Sequence, residues 1–117
     1  MKRICTFAAA VTAAAAAAGS AGAATPTLKA FVNDSFKIGV TQGGKPVKSL
    51  KAGKYVIAVT DPSTSHNFHI TGPGLNKIVT TVSFVGTKSL TVTLKKGVYK
   101  FVCDPHLTTM HGVIVVK

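Results

Sequence analysis

Residues 88–103 read KSLTVTLKKGVYKFVC, and their pattern indicates the class of fold. Apolar and polar side chains alternate over 88–94, and the same period of two resumes over 98–103. This alternation is typical of strands with one buried face, because successive side chains of a strand point to opposite sides. Gly97 separates the two runs, so the stretch predicts two strands joined by a tight turn.

Short runs rich in Val, Ile, Thr, Phe and Tyr recur along the rest of the chain. The predicted strands cover residues 27–32, 35–40, 54–60, 66–70, 78–84, 88–94, 98–103 and 113–116. Glycine and Asp-Pro turn signals separate them, including a Gly-Pro-Gly sequence at 72–74. About eight strands at this spacing, without a long run of helical period, predict an all-β sandwich or barrel with antiparallel connections.

Two of these segments resemble each other. Residues 50–59 read LKAGKYVIAV and residues 94–103 read LKKGVYKFVC. In both, a glycine turn leads into a strand whose tyrosine lies one pleat period before an inward-facing apolar residue. Cys103 occupies the position of the predicted core residue Val59, so we expect its thiol to point inward near the end of a strand.

The first 23 residues have the organisation of a secretory signal peptide. Lys2 and Arg3 provide a positive start, residues 4–18 are apolar, and Ala-Gly-Ala at 21–23 supplies small residues for cleavage. We predict a signal peptide over 1–23, cleaved after Ala23 or, alternatively, after Ala24. The alanine-rich stretch is too weakly hydrophobic for a membrane anchor, so no stable membrane insertion is expected after cleavage. Residues 24–117 are then an exported domain, periplasmic or extracellular.

Charge and cysteine content narrow the function of residues 24–117. Without Lys2 and Arg3, twelve of the 14 basic residues remain against three acidic ones, and all twelve are lysines. They are scattered over strands and turns, and no arginine is left to read guanine, which argues against nucleic-acid binding.

Cys103 is the single cysteine of residues 24–117, so no internal disulfide can form. Its thiol is either a buried small hydrophobe or a metal ligand.

The neighbours of Cys103 favour the metal ligand. Cys103, His106 and Met110 form a C-x-x-H-x-x-x-M motif within one loop between two predicted strands, and His66 opens another predicted strand. A thiolate, two imidazoles and a weak thioether are the ligand set of blue-copper electron-transfer sites. The loop can supply three ligands to one ion, while His66 arrives from a neighbouring strand.

Two further histidines accompany this motif. Strand alternation places His69 on the face opposite His66, so His69 is predicted to be an exposed or edge residue unless the strand carries a bulge. His111 directly follows Met110 and is predicted to lie on the surface beside the site.

The order of these motifs resembles the cupredoxins, the small blue-copper proteins that include plastocyanin, amicyanin and pseudoazurin. The resemblance is carried by SHNF at 65–68, GT at 86–87, LKKGVY at 94–99, FVCDPH at 101–106 and MHG at 110–112. It implies a Greek-key β-sandwich of about seven to eight strands over 24–117. It also implies one type 1 copper that cycles between Cu(I) and Cu(II).

The resemblance assigns roles to five residues. Cys103 matches the thiolate ligand, and Asn67 matches the residue whose side chain ties the two ligand loops together by hydrogen bonding near the cysteine sulphur. The remaining matched ligands are His66, His106 and Met110. Three residues separate His106 from Met110, which differs from plastocyanin.

The expected function is electron transport by a monomeric carrier. In the family the loop histidine, here His106, is the port for electrons within an apolar patch, for which Leu107, Met110 and residues 72–75 are candidates. The positive charge predicts a redox protein partner with an acidic docking surface. Copper storage or delivery through the same ligands is the alternative. An enzyme is not expected, because copper oxidases and nitrite reductases need further copper sites and domains.

Overall fold

The computed structural model describes residues 24–117, which form two packed β-sheets. The strands are β1 Thr27–Asn33, β2 Lys37–Gln42, β3 Lys45–Pro46, β4 Ser49–Leu50, β5 Gly53–Asp61, β6 Phe68–Gly72, β7 Leu75–Thr80, β8 Gly86–Leu94, β9 Gly97–Val102 and β10 His111–Val116. This confirms the predicted all-β sandwich, and the extra strands are two-residue pairings, β3 and β4. The predicted signal peptide lies outside the described residues. Within 24–117, no helix has the length and hydrophobicity needed to cross a membrane.

The chain moves repeatedly between the two sheets, as in a Greek key. One sheet has the order β3-β2-β1-β5-β8 and the other β4-β10-β9-β6-β7. The predicted antiparallel connections hold for most neighbours, but β1 pairs with β5 in parallel and β10 pairs with β4 in parallel. The sequence signal could not distinguish these pairs, because alternation along a strand carries no information on the direction of its neighbour.

The core lies between the sheets and follows the predicted alternation. Tyr55, Ile57 and Val59 are buried along β5, and Tyr99 and Phe101 are buried along β9. Cys103 continues the inward face immediately after β9 and is completely buried, as predicted. The ring of Phe101 stacks on that of Phe68 at a centroid distance of 5.7 Å.

Two turns move strand boundaries away from their predicted positions, because one turn is tighter than expected and the other is longer. The strand predicted at 78–84 is β7, Leu75–Thr80, since the turn at Pro73 and Gly74 (φ +69°) brings Gly72 directly opposite Leu75. The strand predicted at 35–40 begins only at Lys37.

The delay at β2 comes from the β1–β2 turn. The side-chain oxygen of Asn33 accepts hydrogen bonds from the backbone N–H groups of Ser35 and Lys37, at 3.0 and 3.3 Å. Phe36 adopts the left-handed conformation there, with φ +57°. These contacts fix the conformation of the turn, and with it the positions of its side chains, before β2 begins.

Candidate metal centre

The loop between β9 and β10 is closed by its own backbone hydrogen bonds. The N–H of Cys103 donates to the carbonyl of Met110 at 3.0 Å, and the N–H of Met110 donates to the carbonyl of His106 at 2.8 Å. The N–H of His106 donates to the carbonyl of Cys103 at 3.0 Å. Pro105 lies within a 3₁₀ turn, Asp104–His106, where its fixed φ suits the first turn. The three motif residues are thus held in one compact loop.

His66 comes to this loop from the connection between β5 and β6. It was predicted to open a strand at 66–70, but β6 begins only at Phe68, so His66 lies in the preceding loop. Because β6 pairs with β9, with His69 opposite Val102, the segment before β6 lies beside the segment after β9. The two sequence-distant candidates, His66 and Cys103, are therefore brought together by strand pairing.

Three donor atoms converge at this point. The Nδ1 atoms of His66 and His106 are 3.3 Å apart, and the Sγ of Cys103 is 3.7 Å from the first and 3.5 Å from the second. A trigonal ion with bonds of about 2.0 Å to nitrogen and about 2.3 Å to sulphur separates its nitrogens by about 3.5 Å and nitrogen from sulphur by about 3.7 Å. The triangle thus has the size that one transition-metal ion requires. Among residues 24–117, these three form the one group of His, Cys and acidic side chains close enough to share an ion.

The centre is shielded from solvent except at one side. Cys103 and Met110 are fully buried, and His66 is 1% exposed. His106 is only partly buried, so its imidazole is the member of the group that reaches the surface. Met110 lies at the end of the same loop, as predicted. The setting combines a buried cysteine sulphur with a single partly exposed imidazole.

The β1–β2 turn supplies two neighbours that the sequence did not predict. The ring of Phe36 meets both imidazoles edge-on, with centroids 5.6 Å from His66 and 5.0 Å from His106. The carboxylate of Asp34 lies 3.3 Å from Nε2 of His66, on the side away from the sulphur. The negative charge on that side favours a proton on Nε2, and so the tautomer with Nδ1 free to bind metal. Asn33, a residue type favoured in turns, is the sequence signal from which this turn could have been predicted.

Asn67 links the segments that contain His66 and Cys103. Its side-chain oxygen accepts a hydrogen bond from the N–H of Asp104 at 2.7 Å, and its amide nitrogen donates to the Asp104 carboxylate at 2.8 Å. Asn67 is 2% exposed and follows His66, while Asp104 follows Cys103. The pair therefore ties the loop before β6 to the loop after β9.

The two additional histidines lie outside the triangle. His111 is exposed, as predicted, at the start of β10. His69 follows a register shift between Phe68 and His69, so the bulge considered from the sequence is present, yet the ring does not join the metal-ligating group. Its Nδ1 lies 3.0 Å from the Asp104 carboxylate, and its Nε2 lies 2.6 Å from the side-chain oxygen of Asn76.

The contacts around Asp104 alter two pKa values. Burial opposes charge on both side chains, but the hydrogen bonds outweigh it. Those from Asn67 and His69 hold the pKa of Asp104 below its usual value of 3.8. The hydrogen bonds with Asn76 and Asp104 raise the pKa of His69 above 6.5. Each shift favours the charged form of its side chain.

The turn at 72–75 is not part of the site, and its predicted place in the patch around His106 is wrong. The hydroxyl of Tyr99 donates to the carbonyl of Pro73 at 3.0 Å and accepts from the N–H of Lys95 at 2.8 Å. Tyr99 lies four residues before Cys103, roughly 13 Å along an extended strand. Met110 is also absent from the surface, because it is fully buried. Leu107, with 55% exposure, is confirmed as a surface neighbour.

Comparison with known proteins agrees with this geometry. The family model of copper binding proteins of the plastocyanin/azurin family matches residues 45–117. The NMR structure of reduced rusticyanin is similar, with 26% identity over 78% of this chain and 76% of that one, and a TM-score of 0.53. A crystal structure of the copper protein rusticyanin shares the fold, with 24% identity over 82% and 80% of the chains and a TM-score of 0.59. A chain of a heme-copper terminal oxidase dimer shares it at 21% identity over 78% and 63%, with a TM-score of 0.54. No curated protein sequence matches.

A Greek-key sandwich that encloses a His-Cys-His group defines the cupredoxin class of copper proteins. Within that class, the chain belongs to the plastocyanin/azurin family of copper-binding proteins. The group near Met110 matches a type 1 copper centre, so the cofactor is copper.

Proposed function

We propose that this protein carries single electrons between redox partners through one type 1 copper bound by His66, Cys103, His106 and Met110. The observation that carries the proposal is the buried triangle of two Nδ1 atoms and one Sγ, with separations of 3.3, 3.5 and 3.7 Å. Copper supplies the one-electron chemistry when bound, and the chain supplies geometry, dryness and access.

The loop that carries three of these ligands is suited to a site that changes oxidation state without changing shape. Its backbone bonds between Cys103, His106 and Met110 and the side-chain link from Asn67 to Asp104 restrain the donor atoms from two directions. A preset geometry acceptable to both Cu(I) and Cu(II) reduces the rearrangement that accompanies each electron. The fold thus supports transfer more directly than release of the ion.

Electrons are proposed to enter and leave at His106. Its ring is the partly exposed ligand, and the exposed apolar side chains of Phe36 and Leu107 flank it, at 53% and 55% exposure. Such an apolar surface allows a partner to approach the imidazole closely without trapping water. The lysine excess favours a partner with an acidic docking surface, with attraction that weakens as salt rises.

Export is part of the proposal. Residues 1–23 have the sequence features of a cleaved signal peptide, and the site contains the free cysteine Cys103, which copper would protect in an oxidising compartment. Mass spectrometry of the protein recovered from the periplasm or the medium should find a chain that begins at Ala24. An intact chain retained inside the cell would contradict export.

Voltammetry of the copper-loaded protein tests electron transfer against copper storage or delivery. We expect one copper per chain, a reversible one-electron wave and fast self-exchange between the oxidised and reduced forms. An irreversible wave, or binding of more than one copper per chain, would contradict the carrier and favour storage or delivery.

A further inference from the structure

The copper proposal leaves His69 without a role, although its ring has several hydrogen-bond contacts beside the site. Its ring lies on the outer face of β6, 20% exposed, and both nitrogens have oxygen partners. Nδ1 contacts the two carboxylate oxygens of Asp104 at 3.0 and 3.1 Å, and Nε2 contacts Asn76 at 2.6 Å. Since both partners are acceptors, the ring satisfies both only when each nitrogen carries a hydrogen.

The contacts of His69 extend the link between the ligand segments. Asn67, Asp104, His69 and Asn76 form a continuous set of hydrogen bonds that we call the Asp104 bridge. Asp104 is its centre, with Asn67 on one side and His69 on the other. Asn76 belongs to β7, so the bridge joins the loop that bears the cysteine to the β6–β7 hairpin.

We propose that His69 is a positioning residue for the copper centre, which holds Asp104 in place and so fixes the segments that carry Cys103 and His66. Its positive charge also offsets the Asp104 carboxylate, which is one residue from the thiolate. This inference rests on the proposed copper site.

The charge balance gives the proposal a direction. The whole chain has three acidic residues, and Asp34 and Asp104 both contact side chains at or next to the ligands. Negative charge near copper stabilises Cu(II) relative to Cu(I) and lowers the reduction potential. Loss of the His69 charge leaves Asp104 uncompensated, so the potential should fall.

His111 provides a matched control. Val102 pairs with His69 on one side and with His111 on the other, so the two histidines flank the same residue at the end of β9. His111 is exposed, and no side-chain hydrogen bond joins it to the rest of the described chain. Replacement of either histidine by glutamine removes the same ring, but only His69→Gln alters the Asp104 bridge.

The first experiment uses copper-free protein and measures amide hydrogen exchange at Asp104 by NMR. The N–H of Asp104 donates to Asn67, so exchange reports whether the bridge is closed. In His69→Gln we expect this amide to exchange at least about fivefold faster, because a hydrogen bond to a charged group is lost. In His111→Gln we expect the exchange rate to rise less than about twofold. Equal rates in the two variants would overturn the positioning role without any reference to copper.

The second experiment compares the copper-loaded proteins. His69→Gln should lower the reduction potential and shift the thiolate-to-copper absorption band, whereas His111→Gln should match the wild type. Asn76→Ala removes only the outer partner of His69, so it should produce smaller changes in the same direction. This variant also tests the inference if His69→Gln does not fold. Identical potentials and spectra across these variants would refute the inference. A wild-type protein with no blue band would instead refute the proposed function.

Discussion

Replacement of Asn67 by alanine tests whether the link between the two ligand segments stabilises the fold. Asn67→Ala removes two hydrogen bonds, at 2.7 and 2.8 Å, from a side chain that is 2% exposed. The first is a neutral bond worth about 1 kcal/mol. The second ends on a carboxylate that is 42% exposed, so we assign it the lower end of the charged range, about 1.5 kcal/mol.

Together these terms predict a loss of about 2–3 kcal/mol in the free energy of unfolding, or roughly 10–20 °C in melting temperature. Urea and thermal unfolding of the copper-free protein, followed by circular dichroism, measure the loss without a contribution from metal. Gln42→Ala is the control, because Gln42 is an exposed amide at the end of β2 and should cost less than about 0.5 kcal/mol. A loss for Asn67→Ala no greater than that of the control would refute the energetic role of the link.

Three other outcomes follow from the same contacts. Met110→Leu keeps the volume of a fully buried side chain, so the free energy of unfolding should fall by less than about 1.5 kcal/mol. The copper-loaded variant should stay blue with a higher reduction potential, and an unchanged potential in voltammetry would argue against axial ligation by Met110. Because folding raises the pKa of His69, the stabilisation from this side chain is complete below pH 6.5 and is lost as the pH rises through the pKa of the folded state. The lowered pKa of Asp104 makes its contribution present above pH 3.8 and lost as pH falls through its folded value. The difference in unfolding free energy between wild type and His69→Gln should therefore be largest at about pH 4–6.5, and a difference independent of pH in urea titrations would contradict the ion pair. Gly112→Ala would place a methyl group against the ring of Phe101, closer than van der Waals contact allows, so we expect a loss of about 1–3 kcal/mol in the same assay. Wild-type stability would show that this ring packs elsewhere.

The sequence predicted the fold where one face of each strand is buried. Alternation along 88–103 placed Leu94, Tyr99 and Cys103 in the core, and the structure confirms their burial. It failed where turn geometry decides the boundaries, as at Pro73 and Gly74, which start β7 three residues early. It also failed for the parallel pairing of β1 with β5, which depends on the path of the chain between the sheets and not on either strand.

The site was predictable to the extent that its chemistry is local. The thiolate, imidazole and thioether of the 103–110 loop lie close together in sequence, and a soft ligand set with this order is uncommon outside copper sites. The family resemblance drew attention to Asn67 because it directly follows His66. Asp34 and Phe36 were missed, because their contacts with the imidazoles arise from a turn on another sheet. The partners of His69 were missed because they depend on strand pairing within its own sheet, where the β6–β7 hairpin brings Asn76 to it.

The measurement that tests the central claim most directly is a titration of the copper-free protein with Cu(II), followed by visible absorption, beside Cys103→Ser. Because Cys103 is buried at 3.5 Å and 3.7 Å from two imidazole nitrogens, a thiolate bond to copper should form at one equivalent. We predict an intense blue band that saturates at one copper per chain and is absent from the variant. A pale spectrum, or a band that the substitution leaves unchanged, would contradict the type 1 copper centre and the electron-carrier function built on it.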